Sequence, residues 1–406
     1  MSGEKKLSAP LEGSRVIDMG HVLAGPFAAT LLGDFGADVI KIERPGEGDP
    51  MRSMGPTSDD GPVWWKSMGR NKRSLALDWK HPKALRVLKE LVRSSHVLIE
   101  NFRPGVIERN GFGPDVLHEW NEDLVILRIS GYGQTGPYAS RPGFGKAAEA
   151  MSGLVHLTGF PDGPPVHPGF PMADMVTGLM GAYGVVLALL AIQRGLARGQ
   201  VIDLPIYEAP MRLLDYHVAV RTGSGVIPMR NGNQQPMAFG LAGVFQSKDG
   251  RWITYSAATF AVAKRVLNMV GGKTLLQDPR FTRLSAVCQH EREVNDLLAS
   301  WMKERSTEEI LQAFGQAQAV AAVVYDTDDI LSDPHIAARQ NIAEVAGERT
   351  KVVNVVPRLS HTPGAVRWLG RREIGTDSAA VLREVLNLSE AEISALFSAG
   401  AAKPAS

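Results

Sequence analysis

Five short runs rich in β-branched residues recur along the first half of the chain, each far enough from the next to leave room for a helix. They are Arg15-Val-Ile-Asp18, Asp38-Val-Ile-Lys-Ile-Glu43, His96-Val-Leu-Ile-Glu100, Leu124-Val-Ile-Leu-Arg-Ile129 and Val201-Ile-Asp-Leu204. Strands alternating with helices build a parallel sheet, because a parallel pair needs a crossover connection and the crossover helix then covers the sheet. Between the first two runs, Pro26 to Gly36 places Phe27, Leu31, Leu32 and Phe35 on roughly one helical face and ends in glycine. Pro82 to Arg93 repeats the pattern with Leu85, Val87, Leu88 and Leu91. The expectation is an α/β fold: an open, Rossmann-like parallel sheet in a large domain over 1–225, completed by a C-terminal segment returning over 330–406.

Residues 226–329 read as a smaller α/β domain with its linkers. Thr222 to Gly243 is rich in Gly, Pro, Asn and Gln and long for a loop, so it is a linker or a functional loop. Asp249-Gly250 between strand-like stretches is a hairpin signal. Ser306 with Glu309, and Ser389 with Glu392, are capping boxes that open helices. Val352 to Val356 is strand-like.

Charge and cysteine usage exclude several functions. Forty-four Lys+Arg against 43 Asp+Glu leave a net charge of +1, which gives no electrostatic reason to expect a nucleic acid or an anionic membrane as partner. One cysteine, Cys288, rules out an internal disulfide and a cysteine-based metal centre. The polar first residues carry no apolar leader core, so a cytoplasmic location is expected. Met175 to Gln193 holds no charge over about the length of a membrane span. The other reading is a helix buried in a soluble protein, favoured by Gly178, Gly181 and Gly184, whose spacing offers a flat face to a close neighbour.

Familiar catalytic motifs are missing. The first strand-to-helix turn has no G-x-G-x-x-G, so a nicotinamide cofactor is not expected, and Gly271-Gly-Lys-Thr274 lacks the first glycine of a Walker loop, Leu267 standing there. There is no G-x-S-x-G elbow and no H-E-x-x-H, and the histidines are scattered, so no metal site is expected.

What remains clusters at strand ends, where open α/β sheets bind ligands. Gly20-His-Val-Leu-Ala-Gly-Pro26 leads a strand into a helix, and Pro26 suits a first helical turn while His21 is left unexplained. Arg44, ending the second strand, either grips a phosphate or sits in solvent. Lys66, Arg70, Lys72, Arg73 and Lys80, interleaved with Trp64, Trp65 and Trp79, are a local basic cluster: the footprint of a small polyanion with a ring to stack, or a snorkelling surface. Glu100-Asn-Phe-Arg-Pro-Gly105 ends another strand, with Arg109 about one turn beyond. Asp174 stands at the mouth of the uncharged helix, either as its N-cap or as a carboxylate nucleophile.

Taken in order, Val16 to Pro26, Gly36 to Arg44, Asn71 to Asp78, Glu100 to Gly105, Ile129 to Pro137 and Pro171-Met-Ala-Asp174 resemble the class III CoA-transferases over nearly the whole chain. The resemblance implies transfer of coenzyme A from an acyl-CoA to a carboxylic acid, without metal or redox cofactor, by an interlocked homodimer. It makes Asp174 the nucleophile, through a mixed anhydride and then an aspartyl-CoA thioester. His21, Val22 and Ala24 match the loop at the CoA thiol end, and Arg44, Leu77, Trp79 and Lys80 match nucleotide-binding positions. Asn101, Phe102 and Arg109 match further CoA contacts, Tyr132 lies by the pantetheine in related enzymes, and Trp64 stands where relatives have a pocket aromatic.

Two departures argue against oxalate or formate as substrate: Leu23 replaces a Gln and Ser130 a Lys of the formyl-CoA/oxalate branch. That branch also has a glycine run over the active site, whose nearest counterpart here is Gly232 to Gly243. The related α-methylacyl-CoA racemases pair the Asp with a His, and Pro142-Gly-Phe-Gly-Lys146 has none, so the second base for racemisation is missing. Transfer is favoured over racemisation on that ground; an acyl-CoA racemase or epimerase, CoA migration within one dicarboxylic acid, which would use the same Asp, and a non-catalytic CoA-binding protein are the alternatives.

Overall fold

The structure, a computed structural model, describes residues 9–234 and 240–405. Its contacts divide the chain into two compact units, one of residues 1–154, 168–215 and 335–406 and one of 155–167 and 216–334. Residues 155–167, read from the sequence as part of the large body, group with the second unit.

The first unit is built on a seven-stranded sheet. Six strands run parallel: β1 (Arg15–Asp18), β2 (Asp38–Glu43), β3 (Lys72–Leu77), β4 (Val97–Glu100), β5 (Val125–Ser130) and β6 (Val201–Pro205). A short antiparallel strand, Ala402–Lys403, pairs with β3 and closes that edge. The order across the sheet is β3-β2-β1-β4-β5-β6, the Rossmann order, with its direction reversing between β1 and β4. Register follows burial, Ile17 lying opposite Ile40 on one side and Leu98 on the other.

Four helices concern the site: α1 (Ala24–Asp34), α2 (Pro82–Arg93), α3 (Gly145–Met151) and α4 (Met172–Gln193). Because strand side chains alternate, the sheet buries two separate faces. On one, Ile17, Ile40, Leu75, Leu98 and Ile126 pack with Leu88 and Leu91 of α2 and with Val381, Leu382 and Ile393 of the C-terminal helices. On the other, Val16, Val39, Ile99, Val125 and Leu127 pack with α1 and α4. The glycines of α4 are needed there: a Cβ at Gly178 would come within 2.8 Å of the Ala24 carbonyl oxygen, and one at Gly181 within 2.9 Å of Leu127.

One expectation needs correction here, and one strand was not foreseen. Helix α4 is long and apolar enough to cross a membrane by length and composition, but it is not buried on all sides. Its small residues face α1 and the sheet, while Leu179, Tyr183, Val186, Leu187 and Leu190 project from the opposite face and are all more than two-fifths exposed. Strand β3 was hidden from sequence patterning inside the basic cluster, since Lys72 and Arg73 break its apolar run.

In the second unit, β7 (Leu241–Gln246), β8 (Trp252–Ala257) and β9 (Val320–Val323) form an antiparallel sheet, with the Asp249-Gly250 hairpin between β7 and β8. Ile253 and Tyr255 pack there with Leu298 and Phe314 of its helices. Both capping boxes form as expected, at Ser306 and Ser389. The stretch expected as a linker begins inside the helix Asp215–Ser224 and ends in β7; of the Gly232 to Gly243 run, 235–239 lie outside the described residues. Only Val352–Val353 of the expected later strand pairs, with Ile342–Ala343.

Candidate active site

At the switch point, β1 and β4 each release the chain into a turn, and the two turns are bonded to each other. The Asn101 side chain accepts from the His21 amide at 2.7 Å and donates to the His21 carbonyl at 2.8 Å. Both ends of the Asn101 amide are thereby engaged with protein, so its part is to shape the turn. The next residue, Val22, has φ +64°, an uncommon left-handed conformation for a β-branched side chain. Its amide donates to Asp49 at 3.1 Å. Ala24 follows as the first residue of α1 and is buried.

Beneath this turn lies a chain of buried charges that sequence reading missed. Asp18 ends β1, Lys41 lies within β2, Lys72 begins β3, and Asp49 follows β2; none is more than 2% exposed. Lys41 pairs with Asp49 at 2.9 Å and with Asp18 at 3.6 Å, and its amine also donates to the Gly20 carbonyl. Lys72 pairs with Asp18 at 2.9 Å and donates to the Pro26 carbonyl at 2.6 Å. Burial alone would lower the Lys41 amine, but Asp18 and Asp49 outweigh it and hold it above its ordinary value. The available signal was a charged residue closing an apolar run at Asp18 and interrupting one at Lys41.

The candidate CoA residues fall into separate groups. His21 leans on Phe102, ring centres 5.2 Å apart, Phe102 on Trp79 at 5.6 Å, and Trp79 edge-on against Phe112 at 5.4 Å. Burial, then the Lys41 charge, lowers the His21 imidazole, which favours its neutral form. Lys80 is exposed, its amine 5.4 Å from the Trp79 ring centre, and Arg109 is exposed with its guanidinium against the backbone of Gly105. Arg44 lies out in solvent, paired with Glu47 at 2.9 Å. Leu77 is fully buried, so any ligand contact there falls to its backbone. Trp64 packs on the apolar cluster of Leu23, Met51, Trp65 and Met68, as do Val22 and Met175, and Tyr132 stands over Gly143 and edge-on to Tyr138 at 5.9 Å.

The basic cluster is not the polyanion footprint its composition suggested. Arg70 makes a two-pronged pair with Asp34 at 2.6 and 3.0 Å, Arg73 binds Asp38 at 2.6 and 2.9 Å, Lys66 pairs with Glu348, and Lys72 with Asp18. Four of the five cations are spent inside the fold, and Lys80 alone stays available.

Asp174 is not an N-cap. Pro171 holds that position and Asp174 is the third residue of α4, with no hydrogen bond to its carboxylate among the described residues. The carboxylate lies against Gly145, the first residue of α3, so closely that a Cβ at that glycine would collide with Oδ2. One helical turn on, Glu149 is completely buried and Lys146 reaches its Oε2 at 3.1 Å. Burial, reinforced by the Glu149 charge and opposed by Lys146, pushes Asp174 up to about 6 from an ordinary 3.8. A half-buried carboxylate with no hydrogen bonds to satisfy it is poorly solvated, which is the condition that activates a carboxylate nucleophile.

Comparison with known proteins shows the family of the chain. The family model described as CoA-transferase family III matches residues 11–377. The chain belongs to that family. Among its relatives is the succinyl-CoA–L-malate CoA-transferase beta subunit of Chloroflexus aurantiacus, 41% identical, with 96% of this chain and 97% of that protein covered. The succinyl-CoA–D-citramalate CoA-transferase of the same organism is 38% identical over 95% of this chain and 96% of its own. The succinyl-CoA:glutarate CoA-transferase of Homo sapiens is 31% identical over 96% and 89%. A CAIB/BAIF family protein from Brucella suis has a solved structure that matches with a TM-score of 0.83 at 27% identity, covering 93% of this chain and all of that one.

Proposed function

We propose that this chain transfers coenzyme A from a dicarboxylic acyl-CoA, of the succinyl-CoA kind, to a second carboxylic acid, with Asp174 as the nucleophile. The observation that carries the reading is the Asp174 carboxylate itself, raised to about 6, without a hydrogen bond among the described residues and facing a glycine at the head of α4. Three relatives support the substrate class, their names pairing succinyl-CoA with malate, citramalate or glutarate.

The electron accounting needs no cofactor. A carboxylate oxygen of Asp174 attacks the thioester carbonyl and expels CoA thiolate, leaving a mixed anhydride. The thiolate attacks the aspartyl carbonyl, and the donor acid departs with the bridging oxygen. The acceptor carboxylate then attacks the aspartyl-CoA thioester, and the thiolate attacks the acceptor's carbonyl, restoring Asp174. Each step exchanges one acyl bond for another, so the thioester energy is kept. Lys80 and Arg109 are the exposed cations suited to the CoA phosphates, Trp79 offers a face for the adenine, and the His21 to Ala24 turn borders the thiol end.

The exposed apolar face of α4 supports assembly, with a second copy of the chain covering Leu179, Tyr183, Leu187 and Leu190. Relatives named as alpha and beta subunits favour a second reading, in which a different chain of the same family takes that place. Light scattering on the purified protein separates a homodimer from a lone chain that needs its partner.

The chemical test is to incubate with succinyl-CoA, trap with hydroxylamine or borohydride, and map the modified peptide. Modification at Asp174 and loss of transfer in Asp174→Ala support the reading. An unmodified Asp174 together with full activity of Asp174→Ala overturns it.

A further inference from the structure

The buried charges beneath the His21 turn take no part in the chemistry just described. Asp49 is 1% exposed and cannot reach a substrate, yet its carboxylate accepts from the amides of Val22 at 3.1 Å and Met51 at 2.9 Å and pairs with Lys41 at 2.9 Å. Its own amide donates to Glu43 at 3.0 Å, and Glu43 is gripped by Arg52 through two bonds of 2.6 and 2.7 Å. Asp49 is therefore fixed before it touches the turn. From the other side Asn101 holds residue 21, and Lys41 holds the Gly20 carbonyl.

What these groups hold is strained. A valine at φ +64° persists only where its surroundings over-determine it, and such strain concentrates at functional sites. Burying a charge pair to satisfy two amides is costly when an uncharged acceptor would serve. The strained turn also packs against the head of α4, because Val22, Leu23, Trp64 and Met175 share one apolar cluster and Met175 follows Asp174 in sequence.

We propose that Asp49 is a positioning residue for acyl transfer, its carboxylate holding the Val22 amide so that the His21 to Ala24 turn keeps its shape against the head of α4. The proposal rests on the reading of Asp174 as nucleophile. Lys41 serves as the counter-charge that allows Asp49 to stay ionised while buried, and burial, which alone would raise Asp49, is outweighed by Lys41 and the two amides.

Two charge-neutral double variants test the two amide bonds of the Asp49 carboxylate together, with the charge pair removed from both. Asp49→Asn with Lys41→Met keeps an acceptor for the Val22 amide, while Asp49→Leu with Lys41→Met removes it at similar volume. The expected result is that the Leu/Met form loses about 100-fold in kcat relative to the Asn/Met form, the scale expected when a reacting group is misplaced by about 1 Å. KM for succinyl-CoA should stay close between the two, while the Leu/Met form melts lower because the Val22 and Met51 amides lose their acceptor. Equal kcat in the two forms overturns the proposal. Hydrogen exchange on the native protein decides the matter even where the Leu/Met form does not fold: a protected Val22 amide supports the clamp, and one exchanging at the rate of an open loop overturns it. Trapping separates this proposal from the reading beneath it. No aspartyl adduct in the native enzyme fails Asp174 as nucleophile, whereas adduct forming equally fast in both double variants fails only the role of Asp49.

Discussion

Replacing Asp174 by Asn should make the protein more stable at alkaline pH while abolishing its chemistry. The folded-state carboxyl titrates near 6 and the unfolded one near 3.8, because burial and Glu149 disfavour the charged form. The folded state therefore binds this proton more tightly. Below pH 3.8 the group is neutral in both states and costs nothing. As pH rises from 3.8 to about 6 the unfolded chain ionises first and stability falls; above that window the full cost remains. The interval is about 2 pH units, each worth 1.36 kcal/mol, so the burden is about 3 kcal/mol at most. Asn has nearly the same shape and no charge to desolvate. Urea unfolding followed through intrinsic tryptophan fluorescence, with native and Asp174→Asn protein measured at pH 4 and pH 8, reads it directly. The variant should match the native protein at pH 4 and exceed it by about 2 to 3 kcal/mol at pH 8. Equal stability at both pH values would refute the claim that the site holds this carboxylate in a poorly solvated state.

Other positions give sharper local tests. Gly145→Ala places a methyl against Asp174 Oδ2, so kcat should fall by about 100-fold with the fold kept, read as a kcat loss beside an unchanged circular dichroism spectrum. Arg70→Ala leaves Asp34 charged and buried, which should cost about 3 to 5 kcal/mol of stability while KM for the acyl-CoA is unchanged; a raised KM at full stability would restore the phosphate reading of the basic cluster. Lys80→Ala should raise KM for the acyl-CoA with kcat nearly constant, and the rise should vanish when the CoA lacks its 3′-phosphate. The rate limb near pH 6 should move to lower pH in Glu149→Gln, because the second largest cause of the raised Asp174 value is removed.

The sheet was legible because its strands are apolar runs between helical segments. Arg15–Asp18, Asp38–Glu43 and the helix Pro82–Arg93 lie where patterning placed them. Strand β3 was not legible, since Lys72 and Arg73 turn toward Asp18 and Asp38, partners 54 and 35 residues away that no local pattern names. The same long-range pairing misdirected the reading of the basic cluster: charges that look solvated in sequence are neutralised across the fold. Asp174 stood out at the mouth of an uncharged helix, but its neighbour Glu149 did not, because only the packing of α3 on α4 brings that carboxylate near. Helix α4 was misread as buried because its composition is apolar all round; one face meets α1 and the other is left exposed in the single chain.

Oxygen labelling tests the central claim most directly. With native enzyme, succinyl-CoA and an acceptor acid carrying two 18O atoms, a single turnover should leave one 18O in the Asp174 side chain, a gain of about 2 Da in its peptide, because the bridging oxygen of the second anhydride stays with the aspartate. The first molecule of donor acid released should carry none. Label appearing in that first donor acid with the Asp174 peptide unchanged would mean direct attack of the acceptor on the acyl-CoA, and would contradict the account.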